Sequence, residues 1–136
     1  VLGTGTWIAD DELAGVTSIQ GRVAYQGRTG RFDDVVGREQ WFLLSAPGVG
    51  DDLDPERRRR LEELGGRALT VGPAGSGAEI VDVGGTYTDW FAAHGVRHLL
   101  VRPDFSVAFT AKDAAELGAR FDVIARSIRS GDTVLA

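Results

Sequence analysis

His98-Leu-Leu-Val-Arg-Pro-Asp-Phe-Ser-Val-Ala-Phe-Thr110 reads as two strands and a turn. His98 to Val101 is an apolar run ending on a β-branched residue. Ser106 to Thr110 alternates, which places Val107 and Phe109 on one face. Pro103 presets φ for the first corner of a type I turn, and Asp104 suits the second. The expected product is a tight β-hairpin. Its first strand is apolar enough to be covered on both faces, so it belongs inside a sheet, with the second strand nearer the edge.

Beyond the hairpin the apolar spacing turns helical. Thr110-Ala-Lys-Asp113 has the form of a cap, and Leu117, Phe121, Ile124 and Ile128 then recur as one apolar stripe. Glu116 with Arg120, and Asp122 with Arg126, are i,i+4 pairs for its wet side. Arg126 and Arg129 sit where the helix dipole favours cations, Ser130-Gly131 ends the helix, and the tail to Ala136 is expected to be loose. Before the hairpin, Thr86-Tyr-Thr-Asp89 is a capping box in form. It opens a short helix to His94 that Gly95 stops, with Tyr87, Phe91 and His94 on one face and Trp90 beside them.

Gln40 to Ala46 is a nearly continuous apolar strand, ended by Pro47, Gly48 and Gly50. Asp54-Pro55 starts a helix as N-cap and first residue, Leu61 and Leu64 face inward, and Gly65 stops it. Arg67 to Val71 is a second strand, so the three elements form a βαβ unit with parallel strands. Glu79 to Asp82 is a brief extended piece. Residues 1–38 are the least periodic part: a glycine-rich start, an acidic cluster at Asp10, Asp11 and Glu12, and an edge strand at Arg22 to Gln26. Gly27 and Gly30 flank a turn there, and one helical turn from Arg31 to Val36 closes at Gly37.

From residue 39 the order is β-α-β-α-β-β-α. This predicts an α/β fold of thioredoxin-like type: a four-stranded mixed sheet, strand order second-first-third-fourth, with helices on both faces. Residues 39–131 would be that domain and 1–38 an extended lead-in packed on it. In a working thioredoxin the reactive cysteines lie between the first strand and first helix. Here that loop is Ala46 to Asp54 and holds no thiol. The cis-proline that normally precedes the third strand is absent, and His98 lies near its place.

The totals narrow the function. The chain has 136 residues, no cysteine and no methionine, and a net charge of -5. One domain with one core fits that length. Disulfides, thiol redox chemistry and cysteine-ligated zinc are excluded. An acidic chain offers no field to gather phosphates, so no nucleic-acid or anionic-membrane partner is expected. No apolar run approaches the roughly 20 residues that span a bilayer, and no signal peptide is evident. The start at Val1 points to a piece cut from a longer protein.

Three segments carry a resemblance: Gly30-Arg-Phe-Asp-Asp-Val-Val-Gly37, Trp41-Phe-Leu-Leu44, and Leu99-Leu-Val-Arg-Pro-Asp-Phe105. Together they resemble the C-terminal thioredoxin-like domain of the class A FAD-dependent aromatic hydroxylases, of the 3-hydroxyphenylpropionate and phenol hydroxylase branch. Many members carry glycine after that aspartate where this chain has Phe105, so a turn of different type is expected. The resemblance implies a cytoplasmic monooxygenase of aromatic catabolism as the parent, a flavoprotein using FAD and NAD(P)H. The cofactor and substrate contacts would lie in upstream domains. For this piece it implies a non-catalytic, structural role: packing on the upstream FAD-binding and substrate domains and supporting the subunit interface of a homodimer.

The residues themselves supply weaker candidates. His94 and His98 are the only histidines, and Gly95 breaks the helix that would make them a metal pair. Ser45, His98 and Asp104 could form a nucleophilic triad, without a nucleophile elbow to support it. Asp51, Asp52 and Asp54 lack the alternating ligands of a calcium loop, and capping accounts for Asp54. Arg57 to Arg60 could bind an anion, but a helix sends them in several directions, and Glu56, Glu62 and Glu63 can pair with them. Gly72 to Gly77 lacks the Gly-Lys-Ser/Thr ending of a phosphate loop. The expectation is therefore no catalytic, cofactor-binding or metal residue in this piece. The alternative is a stand-alone thioredoxin-like module that binds a small molecule or peptide near Trp41, Trp90 and His98.

Overall fold

A computed structural model describes residues 11–130. The elements are β1 (Arg22–Tyr25), β2 (Arg28–Arg31), α1 (Phe32–Val35), β3 (Phe42–Ser45), a 3₁₀ turn (Gly50–Asp52), α2 (Pro55–Glu63), β4 (Arg67–Gly72), β5 (Ile80–Asp82), α3 (Thr86–His94), β6 (His98–Val101), β7 (Val107–Ala111) and α4 (Ala114–Ser130). One sheet takes all the strands in the order β2-β1-β5-β4-β3-β6-β7. Its β4-β3-β6-β7 part has the expected second-first-third-fourth order, with β3 and β4 parallel and the hairpin antiparallel. The glycine-rich start, Asp10 and the tail beyond Ser130 fall outside the described residues, as does the side chain of Arg129.

The sheet has seven strands, which corrects the expected four. The added three are short: β1 and β2 form a hairpin, and β5 bridges it to β4. Gln26 and Gly27 turn that hairpin with φ of 49° and 82°, the two left-handed corners of a type I′ turn. β1 is the edge strand expected at Arg22 to Gln26 and β5 the extended piece at Glu79 to Asp82, whereas β2 carries no alternation and only its pairing reveals it.

The sheet separates two cores. On the first face α1 and α3 cover Phe42, Leu44, Val71, Ile80, Leu99, Val101 and Val107. On the second face α2 and α4 cover Leu43, Leu100, Ala108, Phe109 and Ala111, with the α4 stripe of Leu117, Phe121 and Ile124 buried against them and Ile128 at its margin. Val107 and Phe109 therefore lie in different cores, which corrects the shared face. A bulge lets Val101 pair with Val107 and Leu100 with Phe109. The extra residue in β7 reverses the alternation at that point.

Phe32 lies at the centre of the first core. Its ring meets Phe42 edge-on at 5.0 Å and Phe105 at 6.0 Å, and tilts against Tyr87 at 6.1 Å. One aromatic from each of the three segments that carry the resemblance thus packs into a single cluster. The Tyr87 hydroxyl accepts from Gly21 N–H at 3.3 Å, and burial pushes this phenol up to about 12.

The helix starts differ from expectation in detail. Asp54 stands at the N-cap of α2 without a capping hydrogen bond, and its carboxylate pairs with Arg57 at 3.3 Å. Gly85 holds the N-cap of α3, so Thr86 is already helical. Asp82 at the end of β5 accepts instead from Thr88 N–H at 2.8 Å. Thr110 remains in β7, and Asp113 caps α4 by accepting from Glu116 N–H at 2.9 Å. Of the two i,i+4 pairs, Glu116–Arg120 forms at 3.7 Å. Asp122 turns away to Arg57 of α2, which reaches it with Nε at 2.9 Å and Nη2 at 2.7 Å. Gly118 lets that guanidinium lie across α4: a Cβ there would stand 3.1 Å from Arg57 Nη1.

The lead-in straps the sheet edge. Gly15 N–H donates to Val107 O, Val107 N–H to Val16 O, and Ser18 N–H to Phe105 O, all at 2.7–2.8 Å. Asp11 is buried, and its Oδ2 accepts from Thr110 N–H, from the Thr110 hydroxyl at 2.8 Å and from Arg120 Nη1 at 2.8 Å. The edge donors of β7 are thereby satisfied from within the chain.

Candidate functional site

The loop from Ala46 to Asp54 leaves the end of β3 and returns at the N-terminus of α2, beside the first residue of β6. Ser45 and His98 are directly opposed across β3 and β6. Ser45 Oγ lies 2.7 Å from His98 Nδ1, and His98 Nε2 lies 2.9 Å from Asp52 Oδ2. The carboxylate takes the proton on Nε2, so Nδ1 is the acceptor for the Ser45 hydroxyl. Burial pulls His98 below the usual imidazole range, against the opposing pull of Asp52. The ring is therefore neutral at neutral pH.

This is a serine, a histidine and an aspartate in hydrogen-bonded order, but the acid is Asp52, not Asp104. Asp104 lies beyond the far end of β6. It pairs there with Arg102 at 3.1 Å and accepts from the Ser106 hydroxyl at 2.6 Å. A nucleophile needs an open approach and donors for the developing oxyanion. Ser45 is 4% exposed and His98 0%. The cavity beside Ser45, walled by Gly50, Arg58, Leu69, Thr70 and Glu79, holds about 20 Å³, the room of one water. These hydrogen bonds tie the 3₁₀ turn to the ends of β3 and β6, and Arg58 adds a bond to Gly50 O at 3.0 Å. The sequence shows that this loop carries Asp51, Asp52 and Asp54 near the start of the third core strand, without showing which of them meets His98.

The other candidates do not converge. His94 is exposed at the end of α3, its ring tilted against Trp90 at 4.8 Å, while His98 turns inward. Asp52 serves His98 and Asp54 serves Arg57. Among the described residues no group of three His, Cys, Asp or Glu side chains is placed to hold a metal. Arg57 and Arg58 bind Asp122, Asp54 and the Gly50 carbonyl; among the described residues no ion pair links the run to Glu56, Glu62 or Glu63. Trp41 packs on the second core and Trp90 on the first, so with the sheet between them they line no common groove. No helix among the described residues is long and apolar enough to cross a membrane.

Comparison with known proteins adds the rest. A family model described as the HcaD C-terminal domain matches residues 15–126. A probable NADH-specific resorcinol 4-hydroxylase of Rhodococcus jostii (strain RHA1) is 36% identical over 100 residues, covering 72% of this chain and 19% of the relative. Among solved structures, the flavin-dependent monooxygenase PieE, crystallised with FAD and substrate, matches at a TM-score of 0.66 and 25% identity, over 94% of this chain and 25% of its own. AhpC of Enterococcus faecalis matches in fold alone, at a TM-score of 0.51 and 16% identity, over 90% of this chain and 97% of its own.

Proposed function

The chain belongs to the HcaD C-terminal domain family, and from that premise we propose that it is the non-catalytic, thioredoxin-like C-terminal domain of a cytoplasmic FAD- and NAD(P)H-dependent aromatic-ring hydroxylase. In this reading residues 39–131 are the thioredoxin-like unit and 1–38 the lead-in packed on it. No residue of the chain is catalytic or holds flavin or metal, and the domain serves assembly with the FAD-binding and substrate domains and within a homodimer. The relatives named above are a hydroxylase and a flavin-dependent monooxygenase, and the chain spans only 19% and 25% of their lengths. The observation that carries the non-catalytic part is the Ser45–His98–Asp52 staple. It fills the loop where the fold keeps reactive groups and leaves no approach to them. The glycine-rich loop 73–79 runs into β5 instead of opening a helix, and Ser76 closes it on Pro73 O at 2.6 Å.

The test uses the full-length polypeptide and the isolated chain. Full-length protein should bind FAD and couple NAD(P)H oxidation to phenol hydroxylation. Its S45A variant should keep kcat per bound flavin within about twofold while lowering the thermal midpoint. The isolated chain should purify colourless. A yellow isolated chain, or a kcat loss of about tenfold or more in S45A at full flavin occupancy, would refute the reading.

A further inference from the structure

The three added strands extend the sheet past the reach of its second-face helices. On the first face α1 covers β1 and β2, with Val23, Phe32 and Val36 buried. On the second face α2 and α4 pack over β3, β4, β6 and β7, and the core there contains no residue of β1, β2 or β5. That end of the second face presents Arg22 and Ala24 of β1, Thr29 and Arg31 of β2, and Val81 of β5. All are exposed or half-buried, and among the described residues no helix lies over them.

Its charges are arranged against local stability. Arg22 and Arg31 are directly opposed across the β1–β2 ladder, where like charges repel. Among the described residues Arg22 has no ion pair, and Arg31 reaches only Asp33, at 3.6 Å with its side chain 66% exposed. The face itself carries two charges, Arg22 and Arg31, both positive, in a chain whose net charge is -5; Arg28 lies with Tyr25 on the other face, and Arg38 is paired with Asp34 at 2.9 Å and Asp33 at 3.8 Å. A basic face on an acidic chain, built on strands beyond the thioredoxin core, calls for an acidic counterpart. A second copy would set these arginines against one another.

We propose that the second face of β1, β2 and β5 is the docking surface for an acidic patch on the catalytic part of the same polypeptide. Carboxylates there would sit between Arg22 and Arg31 and relieve their repulsion. This rests on the functional reading above and assigns the surface through which it works.

The test is a change of sign. In the isolated chain R22E converts the opposed pair into an attractive one, and the thermal midpoint should rise by about 2–4 °C. In the full-length protein R22E sets like charge against the acidic patch. Amide exchange across residues 22–31 should then speed by about tenfold relative to wild type, and R22Q should fall between. A stabilising or neutral R22E in both contexts overturns the proposal. So does a wild-type isolated chain that dimerises through this face, or one that binds anionic vesicles at physiological salt. Flavin content and hydroxylation by the wild-type full-length protein are scored separately, so loss of the docking surface and loss of the functional reading give different results.

Discussion

His98 is a base held without its proton. Its ring lies out of water between a hydroxyl and a carboxylate, and desolvation outweighs the attraction of Asp52. The folded-state value lies below that of the unfolded chain, about 6.5. Between the two values the unfolded state binds the extra proton, so stability drops as pH falls below that point and the contribution is complete above it. The urea midpoint should therefore decline from about pH 7 to pH 5 more steeply in wild type than in H98Q. Parallel declines would show that the ring titrates alike in both states. The serine and histidine of this trio were legible in the sequence, but the acid was not. Spacing along a chain does not say which of several aspartates a loop carries back to the ring.

Among the elements, the β6–β7 hairpin shows what local chemistry can and cannot foretell. Pro103 and Asp104 turn the chain as expected, with Phe105 N–H donating to Arg102 O at 2.9 Å and Arg102 N–H to Ser106 O at 2.8 Å. Phe105 then takes φ of 62°, the left-handed conformation in which glycine is free of strain. A side chain in that conformation carries backbone strain of about 1–2 kcal/mol. The ring offsets this by packing edge-on against Phe32. F105A loses the ring and keeps the strain, whereas F105G loses both. F105G should therefore be more stable than F105A by about 1 kcal/mol in urea unfolding, the reverse of the usual order. Equal stabilities would mean that the strain is relieved elsewhere. The bulge in β7 left no such trace, because Val107, Ala108 and Phe109 are all apolar and buried, and the point at which their facing reverses shows only once the partner strand is known.

Across the whole molecule the β4-β3-β6-β7 order followed from element sequence and apolar runs; β1 and β5 were visible as short extended pieces, but their joining of the same sheet, and β2 itself, were not. Arg28 to Arg31 carries no alternation at all, and it is a strand because β1 pairs with it. The opposite edge is governed by a residue the sequence showed only as part of an acidic cluster. D11A would leave Thr110 N–H, the Thr110 hydroxyl and Arg120 short of an acceptor. It should cost about 2–4 kcal/mol, with faster amide exchange along β7, while the exposed neighbour E12A should cost almost nothing. Equal effects from the two would discount the strap. The strap has a further consequence for biosynthesis. Asp11 and Thr110 lie 99 positions apart, so on the ribosome the lead-in emerges long before the strand it straps, and this edge closes only after β7 has left the exit tunnel.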